Sequence, residues 1–204
     1  MAEMSFSTAS PSMGAKKFHN ENQKLAMWLY LASEVVIFAV MIAGYIIYRL
    51  NEPAVIRDVH KELGIALVTA NTFVLLASSY AMVMGLRAIE MGNRQQFLMW
   101  IGATVVMGIV FLGGQWIEYR ELAHLEITLQ DTSSAFAGFG MRFYAPTFFH
   151  GAHVFVGVLL GLRVLWLGRK GYYDDNPIGV EIFGLYWHFV DVVWIMLFTL
   201  IYLV

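Results

Sequence analysis

Residues 179–204 read GVEIFGLYWHFVDVVWIMLFTLIYLV, 26 residues in which Glu181, His188 and Asp191 are the only carboxyl or imidazole side chains and there is no Lys or Arg. A membrane-spanning helix needs about 20 predominantly apolar residues, so this stretch is long enough to cross a bilayer. Four more runs of comparable character precede it, about Leu25–Tyr48, Leu63–Ile89, Phe97–Tyr119 and Phe143–Trp166. Short connections hold most of the charges, together with Pro53, Pro177 and the Asp-Asp-Asn-Pro turn at Asp174–Pro177. Only Asp131–Gly140, rich in Ser, Gly and Ala, reads as a looser loop. The expected fold is all-α: a polytopic membrane protein built as a bundle of five transmembrane helices.

Composition agrees. Of 204 residues, 59% are hydrophobic and 14% charged, with mean hydropathy +0.62. A soluble domain carries about 25% charged residues, and this chain lacks the polar groups to coat a globule of its size. That excludes a soluble enzyme. The count of zero cysteines excludes disulfides, iron–sulfur clusters, thiolate copper and CxxCH-attached haem together. A net charge of −2 argues against a nucleic-acid partner, whose binders are basic.

Residues 1–24 are small, polar and Ser-rich and are expected to form a mobile tail, leaving 25–204 as the membrane bundle. The first apolar run is too long for a signal peptide and has no small-residue cleavage site after it, so it is expected to stay in the mature protein. Lys and Arg number eight on the side of the N-terminal tail and five on the other. By the positive-inside rule the N-terminus is expected in the cytoplasm and the C-terminus outside.

Polar residues inside the spans carry whatever function the chain has, because at that depth they face the bundle or a cavity. Glu34 lies roughly 14 Å into the first run at helical rise. Asn71 and Ser78, and beside them Thr72 and Ser79, line neighbouring faces of the second. Glu118 follows Gln115 by one helical turn in the third. Pro146, His150, His153, Gly157 and Gly161 share one face of the fourth, and Gly184, His188 and Asp191 form a similar stripe on the fifth. The expected picture is a buried polar seam made by Asn71, Glu118, His150, His153, His188 and Asp191.

Each group admits more than one chemistry. His150 and His153 at i, i+3 match part of a metal site, but a site needs further donors. Histidines on separate helices match axial ligands of a b-type haem. The same histidines can instead hydrogen-bond to Glu118, Asp191 or backbone carbonyls and fix helix packing. Glu34 is read as a proton-exchanging carboxyl, an anchor for a lipid head group or a packing residue. Trp187, Trp194, Phe148 and Phe149 are read as packing groups and interfacial anchors.

The run Tyr186-Trp187-His188-Phe189-Val190-Asp191-Val192-Val193-Trp194 closely resembles the signature of subunit III of the haem–copper oxidases. Four other segments agree in order: Ser33-Glu34-Val35 with Phe38, Asn71-Thr72 with Leu75-Leu76-Ala77-Ser78, Gln115 with Glu118-Tyr119, and Phe149-His150-Gly151 with His153-Val154. The resemblance covers about residues 25–204 and is to the five-helix bacterial form, which lacks two N-terminal helices of the longer one.

That resemblance implies a non-catalytic accessory subunit in a bacterial plasma membrane, without metal or other cofactor in this chain. Haem and copper would belong to partner subunits I and II, which reduce O2 to water and translocate protons. This subunit would pack against subunit I, hold phospholipid in a cleft and sustain proton uptake through many turnovers. Glu34 aligns with the family's carbodiimide-reactive glutamate. Two other functions stay open: a b-haem electron carrier using His150, His153 or His188, and the subunit III-like partner of a nitric-oxide reductase. Asn71-Thr72 resembles the cytochrome c oxidase branch rather than the quinol oxidase branch.

Overall fold

Among the described residues of the computed structural model, every regular element is a helix. These residues are 13–62, 64–124 and 138–204, excepting the side chains at 13–17 and 58–62. The elements are α1 (Met13–Asn51), α2 (Pro53–Glu62), α3 (Ile65–Glu90), α4 (Arg94–His124), α5 (Phe139–Arg169) and α6 (Ile178–Phe198), which runs on through a π-helical turn at Thr199–Leu203. Among the described residues, five helical segments are long and apolar enough to cross a membrane: Phe18–Asn51, Ile65–Glu90, Arg94–His124, Phe139–Arg169 and Ile178–Leu203. The five-helix membrane fold read from the sequence is therefore the fold observed.

Three of the expected spans lengthen by several residues, because charged residues such as Arg49, Arg94 and Arg169 end an apolar run without ending a helix. Their long side chains reach the interface while the backbone keeps its hydrogen bonds. Two expectations need correction. Residues 13–24 belong to α1 rather than to a tail, and residues 1–12 lie outside the described residues. The connection after α1 folds as α2, with Pro53 at its first position, where a missing N–H costs nothing. Of the loop expected at Asp131–Gly140, residues 131–137 lie outside the described residues, and Phe139 and Gly140 already belong to α5.

Helices α3, α4, α5 and α6 close a ring, each packing on the next and α6 returning to α3. α1 stands outside the ring and packs on α5 and α6. Its buried positions, Leu31, Glu34, Phe38, Tyr45 and Tyr48, follow a single stripe, while Leu29, Val36, Val40 and Ile47 face outward. Helices α3 and α5 stop in the same way. Gly92 and Gly171 take positive φ (73° and 77°), and the next N–H in each case bonds back to the carbonyl of Ala88 or Leu167. At this end Arg94 pairs with Asp174, Lys24 with Glu181 and Asn20 with Asn176, tying α1 and α4 to the loop before α6 and its first turn. At the other end Arg49 donates to the carbonyls of Leu200 and Val204.

Glycines set how closely the ring packs. A Cβ on Gly108 or Gly157 would lie 2.7 Å from a carbon of the Trp187 indole, and one on Gly161 would lie 2.7 Å from Val105. The small-residue face of α5 is therefore filled by this chain's own α4 and α6. Gly157→Ala is expected to destabilise the bundle by about 1–3 kcal/mol through overpacking. Gly102→Ala, where nothing lies within 4 Å, is expected to be neutral or slightly stabilising. Thermal unfolding of the purified variants in detergent checks the pair.

Candidate functional site

The polar residues picked from the sequence fall into three clusters inside the bundle. The first joins α3 to α6. Trp194 Nε1–H donates to Thr72 Oγ1 (2.9 Å), which donates to the carbonyl of Val68 (2.8 Å). Trp187 Nε1–H donates to Ser78 Oγ (2.9 Å), which donates to the carbonyl of Leu75 (2.6 Å). Between them His188 Nδ1 lies 2.7 Å from Ser79 Oγ. Asn71 turns to α4 and donates to the carbonyl of Phe111 (2.9 Å), seated where Gly114 leaves room.

Both tryptophans are fully buried, which corrects their reading as interfacial anchors. Each keeps its indole N–H satisfied by a hydroxyl on α3, and a buried Trp N–H usually finds such a partner. His188 and Asp191, which can pair at i, i+3, lie at ion-pair distance (3.9 Å), and the closer neighbour of the imidazole is Ser79.

The second cluster lies between α4 and α5. Gln115 Nε2–H donates to Glu118 Oε2 (2.6 Å), Tyr202 packs beside the carboxyl, and Tyr119 donates to Thr147 Oγ1 (2.9 Å). His150 is wholly buried, stacked on Trp194 at 4.9 Å between ring centroids and met edge-on by Phe111. Neither of its ring nitrogens meets a hydrogen-bond partner among the described residues. Of the bonds anticipated for the histidines, the one to a backbone carbonyl is made by His153.

The third cluster joins α1 to α5 and holds the most chemistry. His153 Nδ1 is 2.8 Å from the carbonyl of Phe149, so that nitrogen carries the proton and donates. Its Nε2 faces Glu34 Oε2 at 3.3 Å. A carbonyl-bound Nδ1–H leaves Nε2 as an acceptor unless the ring is doubly protonated. Glu34 Oε2 makes no hydrogen bond among the described residues, so the contact is a close approach at ion-pair distance. Both side chains are about 10% exposed (10% and 11%).

An aromatic wall surrounds this pair. Phe149 and Phe38 pack on the His153 ring at 4.7 and 5.4 Å, and Tyr186 stacks over it at 6.3 Å while donating to the His153 carbonyl (2.9 Å). Tyr30, one turn before Glu34, stacks on Tyr186 and interacts with the Glu34 carboxyl. Ser33, the polar neighbour of Glu34 in sequence, instead bonds its own helix at the carbonyl of Tyr30. The signal for the true partner was the single polar stripe on α5, which names His153 but not the helix it meets.

The His150/His153 spacing does not gather a ligand set, since both nitrogens of His153 are engaged and no group of three His, Asp or Glu converges among the described residues.

Comparison with known proteins places this arrangement. The family model for cytochrome c oxidase subunit III matches residues 8–204. The chain belongs to the cytochrome c oxidase subunit III family. It is 42% identical to cytochrome c oxidase subunit 3 of Synechocystis sp. over 91% of this chain and 77% of that one. It is 36% identical to the subunit 3 of Thermostichus vulcanus over 91% of this chain and 89% of that one. For the Bacillus subtilis subunit 3 the identity is 32%, over 90% of this chain and 86% of that one. Each motif quoted for the resemblance contributes residues to the three clusters, among them Glu34, Thr72, Glu118, His153 and Trp187.

The two indole bonds give a measurable quantity. Trp194→Phe and Thr72→Val each remove one end of the same hydrogen bond, so their effects on stability should not add. The coupling expected in a membrane interior is about 0.6 kcal/mol, with an upper range of about 1.7 kcal/mol. A double-mutant cycle on unfolding in mixed micelles measures it, and strict additivity would mean that the bond contributes nothing.

Proposed function

We propose that this subunit III is a non-catalytic accessory subunit of a haem–copper terminal oxidase, which reduces O2 to water and translocates protons. In this reading it stabilises subunit I, binds phospholipid and supports sustained proton uptake. Haem and copper reside in subunits I and II, and cytochrome c is the electron donor, in keeping with the names of the relatives.

The observation that carries the reading is the Glu34–His153 pair. It is a carboxyl–imidazole pair at 3.3 Å held within the membrane span, walled by aromatic rings and, among the described residues, part of no group of three metal-ligating side chains. Such a pair can take up and return a proton without redox chemistry of its own. A groove of about 580 Å³ supports the lipid assignment. It lies between α1, α5 and α6, and Tyr30 and Tyr186, the rings beside the pair, form part of its wall. Arg163 and Gln23 supply polar groups, and Leu160, Val164 and Ile182 make an apolar wall. A cation above an apolar channel suits a phosphate head group with its acyl chain below. The basic residues Lys24, Arg94, Arg169 and Lys170 support a cytoplasmic N-terminal end, with the C-terminal end outside.

In the assembled oxidase, Glu34→Ala is expected to leave the initial rate of O2 consumption near that of the wild type while reducing several-fold the turnovers completed before activity decays. Glu34→Gln keeps hydrogen bonding and loses titration. If Gln decays like Ala, Glu34 exchanges protons; if it lasts like the wild type, Glu34 anchors. An oxygen electrode with repeated substrate additions reads both quantities. An initial rate abolished by Glu34→Ala in fully assembled enzyme would overturn the accessory role.

A further inference from the structure

One side of α6 is left uncovered by this chain. α1 packs on α5 and α6 but makes no packed interface with α3, so a groove runs between α1 and α3 with α6 as its floor. Its outer section, about 430 Å³, is rimmed by Lys24, Glu90 and Glu181. Its inner section, about 450 Å³, is almost wholly apolar and reaches Val35 and Val192. Trp28, Leu185 and His188 line both, so the two sections are continuous. Trp28, Val35 and Val192 are 58%, 53% and 55% exposed along it.

His188 makes this more than an apolar furrow. Its Nδ1 is held by Ser79 at 2.7 Å, with the buried Asp191 carboxyl 3.9 Å away. The side chain is nevertheless 39% exposed, and Nε2 has no hydrogen bond among the described residues. His188 stands ten residues into α6, roughly 15 Å from its start at helical rise. That is the middle of a hydrocarbon core about 30 Å thick. Acyl chains offer neither donor nor acceptor there, and head groups lie at the surface. A polar edge at this depth is satisfied by protein.

We propose that this groove seats a membrane-spanning helix of another oxidase subunit, which carries a hydrogen-bonding side chain at mid-membrane depth that pairs with His188 Nε2. The assignment rests on the accessory-subunit reading and adds to it the face that is used. The Ser79–His188–Asp191 cluster fixes the imidazole so that its free edge points out of the bundle. Trp28 and Val35 on α1 and Val83 on α3 supply the apolar flanks.

The chain has no cysteine, and a photoreactive side chain can probe the groove in the intact complex. p-Benzoylphenylalanine in place of Val192, in the oxidase purified from its native membrane, is expected to cross-link on illumination to a single helix of a larger subunit. The same probe in place of Val106, 59% exposed on α4 across the bundle, is expected to give no such product. His188→Ala is expected to cut retention of this chain at least tenfold during detergent exchange, and His188→Gln, which keeps a hydrogen-bonding end, to restore most of it. Products from position 192 that contain lipid alone or a second copy of this chain would overturn the proposal. So would cross-linking from position 106 but not 192, which would leave the accessory reading intact. Purification of the chain with no haem-bearing subunit at all would overturn both.

Discussion

Inside a bilayer a polar group that a helix carries inward can be satisfied only by the protein, because the surrounding acyl chains supply no partner. In this bundle that constraint acts most directly between α3 and α6. Trp194 meets Thr72, and about two turns away on both helices Trp187 meets Ser78 and His188 meets Ser79, so the bonded levels run in opposite directions along the two. Two antiparallel helices bonded in this way have one register. A slip by a turn would leave two buried indole N–H groups without these acceptors.

The same register positions the apolar contacts. With its N–H on Ser78, the Trp187 ring lies against Gly108 of α4 and Gly157 of α5, where no larger residue would fit without movement. One side chain thus reaches three other helices, by a hydrogen bond to α3 and by van der Waals contact with α4 and α5. Trp194 works similarly, stacking on His150 of α5 and meeting Phe111 of α4 edge-on. The ring of four helices is held by directional bonds at one edge of each indole and by close packing around the rest.

α1 has a different status. Within the span it is joined to the ring by one polar pair, Glu34 with His153, and by aromatic contacts through Phe38 and Tyr30. Its two flanks border different spaces. Toward α5 lies the groove headed by Arg163, and toward α3 lies the groove that exposes His188. A helix so placed can separate a lipid from a partner helix while its inner face carries the Glu34–His153 pair. The proposed roles of this subunit therefore concentrate on α1 and the α6 surface beside it.

Hydropathy alone determined the five spans, since the need for about 20 apolar residues is a property of length and composition. Helical spacing determined that Pro146, His150, His153, Gly157 and Gly161 share a face, and all five are buried. The ends of the helices were less legible, because Arg49, Arg94 and Arg169 interrupt an apolar run but not a hydrogen-bond ladder. Only the tertiary structure decided which helix each polar face meets. Periodicity records the direction of a side chain around its own axis and carries no information about the neighbour. Glu34 and His153 are far apart in the chain, and Ser33 was the nearer polar group in sequence, yet packing of α1 across α5 made the pair. Trp187 and Trp194 read from sequence as bulk, because an indole is mostly apolar surface; their placement against Ser78 and Thr72 made them the bonds that set the register.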